Sequence, residues 1–205
     1  STGLTQGFSI QLSQYYGAKD FENLRKSLAH SYRLTAFIAA GVLILSQSFA
    51  SLVLTGLHTP SNIIGMSLLY LRIIFCGIPA TAAYNMFASA LRAMGNSKTP
   101  LTAMIIASVL NVSLDILFVA GFGWGVAGAA IATVIAQSFS AVYCFLILRR
   151  IDIVHLTRAD FMPASGMNAR LMKLGIPVVF QNIIIGVGGL VVQYVINGYG
   201  FLFVA

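Results

Sequence analysis

Acidic side chains are nearly missing from this chain. Its 205 residues hold five Asp and Glu against twelve Lys and Arg, and charged residues make up only 8%. So little charge excludes the surface of an ordinary soluble domain, and so much apolar residue excludes solvated disorder. The net charge of +7 carries no basic, aromatic-interleaved face, so nucleic acid is not expected as a partner. Cysteine is scarce too. Cys76 and Cys144 both stand in apolar stretches and read as small packing residues, which excludes a disulfide framework and a metal site built on thiolates. The three histidines, His30, His58 and His155, are divided between the two sides of the membrane by the topology derived below. No Ser-His-Asp, Cys-His or paired-carboxylate set survives that division, so the chain is not read as an enzyme and no cofactor is expected.

What is present is length of apolar sequence. Hydrophobic residues make up 58% and the mean hydropathy is +0.88. Windows free of charge run over 34–57, 73–91, 99–114, 116–148 and 174–205. Each approaches or exceeds the ~20 residues of a spanning helix. The Gly121-Phe122-Gly123-Trp124-Gly125 run divides the fourth. The windows predict an all-α polytopic membrane protein with helices over about 34–57, 63–91, 99–120, 126–148 and 174–199, and residues 1–16 as the tail of a sixth. Residues 21–33, amphipathic through Phe21, Leu24 and Leu28, read as a separate surface helix. Thr59-Pro60 and Thr99-Pro100 read as helix starts, Gly17 as a helix stop, and Gly77-Ile78-Pro79 as a kink. The chain opens without Met and stops inside an apolar run, so both ends are expected to be cuts through a longer protein.

Basic residues set the orientation. Lys19, Arg25, Lys26 and Arg33 precede the first full span; Arg92 and Lys98 flank the turn after the second; Arg149, Arg150, Arg158, Arg170 and Lys173 follow the fourth. These alternate connections are cytoplasmic by the positive-inside rule, and the connections around His58 and Trp124 are external.

Against that background Asp115 stands out as the only acid between Glu22 and Asp152. A carboxylate at membrane depth costs ~2.5–3.5 kcal/mol on insertion scales, which makes it a functional-site candidate by default. Asn111 lies one turn earlier on the same face. Arg72 is the one base outside the cytoplasmic connections. Antiparallel packing of its helix on that of Asp115 would leave a mismatch of only ~5 Å along the axis, so the two could pair; snorkelling to the headgroups is the alternative. Polar or small residues recur at helical spacing: Thr2, Gln6, Ser9, Ser13; Gly77, Thr81, Asn85, Ser89; Thr133, Gln137; and Asn182, Gly186, Gly189, Gln193, Asn197. Any one such stripe reads as packing between helices, but together they favour a water-accessible interior. Gly123 to Gly128 matches the dinucleotide fingerprint without the βαβ context it needs, and the sequon at Asn111 lies within a span.

Four blocks in register, Gly17-Ala18-Lys19-Asp20, Ala90 to Pro100, Asn111 to Val119, and Trp124 to Thr133, resemble the multidrug and toxic compound extrusion (MATE) family, in its bacterial DinF-like branch. The resemblance implies a MATE-type helical bundle, about six of an expected twelve transmembrane helices, in two lobes around a cavity. Residues 1–150 would be N-lobe helices from the tail of helix 2 to helix 6, 151–173 the cytoplasmic inter-lobe linker, and 174–205 the first C-lobe helix. It implies efflux by H+ or Na+ antiport with alternating access, with Asp115 and Asn111 as the cation-coupling pair. Asn85, Thr133, Arg72, Gln181 and Asn182 would line or support the cavity. The substrate would be a small amphipathic cation, and the protein a monomer in the bacterial inner membrane, in contact with the lipid bilayer. One departure is visible: where some branches carry an acid in the seventh helix, this chain has Gln181 and Asn182. A lipid-linked saccharide flippase of the same superfamily and a non-transporting membrane scaffold are the alternatives.

Overall fold

The computed structural model describes residues 2–56, 64–162 and 166–198. The described residues form helices α1 (Thr2–Gly17), α2 (Phe21–Gly56), α3 (Ile64–Cys76), α4 (Ile78–Ala93), α5 (Lys98–Asp115), α6 (Gly125–Arg149) and α7 (Met167–Gly198), with short 3-10 turns at Asp152–Val154 and Arg158–Phe161. No strand occurs among them. Five helical segments are long and apolar enough to cross a membrane, with α3–α4 counted as one. The start at Thr59-Pro60, and His58 with it, lies outside the described residues.

Two helices are longer than the charge-free windows. Residues 21–33 are the first third of α2, not a separate surface helix, and α7 begins at Met167 rather than near 174. The reason is common to both. Glu22, Arg33, Arg170 and Lys173 lie on exposed faces while Leu24, Leu28, Met167 and Leu171 are buried, so the helices continue into water. Lack of charge measures the bilayer, not the helix.

Local signals at the helix ends are also redistributed. At the end of α1 the left-handed conformation falls on Lys19 (φ 57°), not Gly17. Asp20 caps α2, its carboxylate accepting from the Asn23 backbone N–H at 3.2 Å. At α5, Asn96 takes the role expected of Thr99, accepting from the Thr99 N–H at 3.1 Å. The kink at Gly77 is present where Pro79 removes a donor. There Gly77 N–H bonds to Ile74, and the Gly77 carbonyl accepts from both the N–H and the hydroxyl of Thr81.

The core concentrates at the end of the bundle that carries the basic residues. Phe8 and Leu12 of α1, Leu28 of α2, Leu91 of α4, Leu148 of α6 and Leu171 of α7 converge there, each almost fully buried. Elsewhere large apolar side chains such as Phe37 (84% exposed) and Ile184 (69%) face outward. Such a surface suits hydrocarbon, not water. Helices α1 and α7 cross glycine on glycine: a Cβ at Gly7 would collide with the backbone of Gly175.

The segment between α6 and α7 is tied to α2. Buried His30 has Nδ1 2.8 Å from the Asn168 carboxamide oxygen and Nε2 3.1 Å from the Met162 carbonyl. Arg33 donates to the Phe161 carbonyl at 3.0 Å, and Arg25 lies 3.9 Å from Asp160.

Candidate functional site

The site is assembled on the α5–α6 seam. Alanine, glycine and serine dominate the buried face of α6, with Gly128, Ala132, Ala136 and Ser140 all buried. Small residues let two helices approach closely without a hydrophobic drive between them. Three contacts fix the antiparallel register: Ser140 hydroxyl to Ala103 carbonyl at 3.5 Å, Asn111 Nδ2 to Thr133 Oγ1 at 3.4 Å, and Gly128 against the Phe118 side chain.

Asn111 and Thr133 therefore meet. They line a cavity of about 140 Å³ whose wall also includes Tyr84, Ser108, Gln137 and Ser140. Thr133 additionally donates to the Ala129 carbonyl at 3.0 Å, so its hydroxyl oxygen is held toward Asn111. Ser108 and Ser140 extend the stripes of Asn111 and Gln137 by one turn and were legible as such. Tyr84 was not, because an aromatic next to Asn85 reads as core; its hydroxyl donates to the Pro100 carbonyl at 3.3 Å.

Asp115 is the last α-helical residue of α5. The next six residues, Ile116–Gly121, wind as a π-helix. Wider turns of this kind cost hydrogen-bond geometry and occur often at functional sites; nothing in the sequence announced it. The carboxylate is half-buried, and its Oδ1 is buried without a hydrogen-bond partner among the described residues. The π segment leads into an aromatic cluster in which Phe118 stacks on Trp124 at 5.1 Å and on Phe122 at 6.0 Å.

Arg72 does not reach this carboxylate. Helix α3 packs on α2, α4 and α6, and α5 on α4 and α6, while α3 and α5 do not touch among the described residues. Arg72 is exposed, and its carbonyl accepts from the Gln47 carboxamide at 2.9 Å. The expected pairing assumes that the two helices pack on each other, whereas α6 packs against both. Asn85 is half-buried on α4 and is not among the cavity walls. Gln181 and Asn182 are exposed on α7, which contacts α1 and α2 rather than α5 or α6. Asn182 donates to the Val178 carbonyl at 3.0 Å, and its amide nitrogen lies where a Cβ on Gly3 would fall.

The donor set of Asn111, Asp115 and Thr133 is entirely oxygen and amide. Among the described residues no group of three or more His, Cys, Asp and Glu could hold a transition metal. A carboxylate, a carboxamide and a hydroxyl suit a proton or a hard alkali cation better than a soft metal.

The chain is similar to known proteins over nearly its whole length. YpnP of Bacillus subtilis (strain 168), a probable multidrug resistance protein, is 32% identical over 198 residues, spanning 97% of this chain and 44% of its own length. The multidrug export protein MepA of Staphylococcus saprophyticus is 25% identical over 197 residues, or 95% and 43% of the two chains. A crystal structure of a MATE protein in its straight conformation superposes with a TM-score of 0.87 at 23% identity, covering 97% of this chain and 45% of that one. The chain thus spans less than half the length of these relatives. The MatE family model matches residues 1–117, more than half of the sequence. With its all-helical, multi-pass architecture, the chain belongs to the MatE family of membrane transporters.

Proposed function

We propose that this chain is part of a secondary transporter that exports small amphipathic cations across the bacterial inner membrane in exchange for inward H+ or Na+. Asp115 binds and releases the coupling ion. Asn111 orients or ligates it, and Thr133 holds Asn111 in place. Residues 1–150 form N-lobe helices, 151–173 the region between lobes, and 174–205 the start of the second lobe. The observation that carries the reading is the buried Oδ1 of Asp115, without a hydrogen-bond partner among the described residues, at the junction of α5 with the π-helix. Burying a carboxylate oxygen without a donor is costly, and a cargo proton or cation removes that cost on binding. The multidrug names of YpnP and MepA support the substrate class.

The test is ion-driven efflux of a fluorescent lipophilic cation by the full-length protein carrying Asp115→Asn. The neutral side chain is expected to abolish the dependence of efflux on the ion gradient, while Asp152→Asn, on the exposed loop, leaves it intact. Efflux unchanged in rate and coupling in Asp115→Asn would remove Asp115 from the mechanism.

A further inference from the structure

Two cavities outside the α5–α6 seam share walls. The first, about 390 Å³, lies between α2 and α4 and is lined almost wholly by apolar groups, including Ala36, Ala40, Leu43, Pro79 and Ala83. The second, about 380 Å³, is formed by the end of α6 and the segment after it, and includes Arg149, His155 and Phe161. Tyr32 and Phe145 belong to both. With Phe87 they form a chain of rings, Tyr32 edge-on to Phe87 at 5.5 Å and Phe87 against Phe145 at 5.2 Å. The two cavities therefore adjoin across these rings, and the one that holds Arg149 forms the mouth of the apolar α2–α4 groove.

The dimensions and the charge match one class of ligand. Along α2 the apolar part runs from Tyr32 to Leu43. Eleven residues of helix are ~16 Å, about half of the ~30 Å hydrocarbon core, which is the depth of one leaflet. The mouth sits at the end of the bundle rich in Lys and Arg, which is cytoplasmic by the positive-inside rule. Arg149 is exposed there, as is His155, whose Nε2 lies 3.9 Å from Asp152. Arg33, exposed, donates to the carbonyl of Phe161 in the same wall, and Arg150 is exposed next to Arg149, while Asp152 and Asp160 are the acids of the segment after α6. Basic pockets between helices on the cytoplasmic side suit anionic headgroups. A cationic drug would meet like charge at this mouth.

We infer that the α2–α4 groove is a binding site for an anionic glycerophospholipid of the inner leaflet, one acyl chain lying against Ala36, Ala40 and Ala83 and the headgroup phosphate at Arg149. Lipid tails are as apolar as the groove, so burial of the chain alone gives no selectivity. Selectivity comes from the phosphate at Arg149, and shape from the alanines. The site is separate from Asp115, and its occupancy does not depend on the coupling mechanism.

The experiment is native mass spectrometry of the full-length protein, purified with equal amounts of phosphatidylglycerol and phosphatidylcholine. Phosphatidylglycerol is expected to be retained preferentially. Arg149→Gln should lower its retention about five-fold, the factor for one basic contact at an anionic surface. Ala40→Leu, which fills the groove with a good helix former, should lower it comparably. Lys98→Gln, a basic residue on the α4–α5 turn, should not. Equal retention of the two lipids, or equal effects of Arg149→Gln and Lys98→Gln, overturns the inference. So does displacement of the lipid by tetraphenylphosphonium, which would make the groove a substrate site. An Ala40→Cys thiol that a lipid-soluble maleimide cannot reach would mean that another segment of the protein covers the groove, with the same consequence.

Discussion

The carboxamide of Asn111 meets the hydroxyl of Thr133 at 3.4 Å across the α5–α6 seam, one turn before a carboxylate oxygen that has no partner among the described residues. A contact this long and only partly buried adds little stability, at most ~1 kcal/mol. Its value is positional. Asn111→Ala is expected to leave thermal unfolding of the full-length protein within a degree or two while weakening the apparent affinity for the coupling ion about ten-fold. The ion dependence of efflux, measured beside a melting curve, separates the two effects.

The α1–α7 crossing makes the opposite prediction. A methyl at Gly7 has no room against the Gly175 backbone, so Gly7→Ala should destabilise by about 1–3 kcal/mol. Gly186→Ala, where a Cβ meets nothing within 4 Å, should be neutral or slightly stabilising. Thermal unfolding in detergent ranks the pair, and equal melting temperatures would contradict the close approach.

His30 anchors the segment after α6. His30→Ala removes two part-buried bonds, to the Asn168 carboxamide and the Met162 carbonyl, at a cost of about 0.5–1.5 kcal/mol each. Hydrogen exchange of residues 151–162 should quicken with it, while α5 and α6 stay protected.

Asp160 gives that segment a dependence on acid. Burial of its carboxyl opposes ionisation, but bonds from the backbone N–H and hydroxyl of Thr157, with the charges of Arg25 and Lys26, outweigh it and hold the group below its ordinary 3.8. The unfolded chain therefore takes up the proton first. The stabilisation is present in full above about 3.8 and is lost as pH falls from there through the lower folded value. Exchange in residues 157–162 should rise over that window, and in Asp160→Asn it should be fast at every pH.

The spans, their order and the α5–α6 pair were legible because each rests on a local or periodic property: absence of charge over ~20 residues, small residues along one face of α6, and a polar residue four before an acid. What could not be read were properties set by third parties. Arg72 and Asp115 matched along their axes, but a third helix packs against both of theirs. The reach of α2 and α7 beyond the membrane depended on faces buried against α1 and the segment after α6. The π-helix after Asp115 has no compositional signature at all, since Ile116 to Ala120 is ordinary apolar sequence.

The glycine crossing has a consequence for biogenesis. Gly7 and Gly175 are about 170 residues apart, so at ~5–20 residues per second the ribosome needs roughly 10–30 s to deliver the neighbour of α1 after α1 itself has emerged. During that interval the flat Gly3–Gly7 face is uncovered in the bilayer, and whatever holds it then, lipid, insertase or chaperone, must give way to α7. Truncation between α6 and α7 should accordingly prolong the residence of nascent chains on the insertion machinery, an effect that Gly7→Leu in the complete chain would mimic.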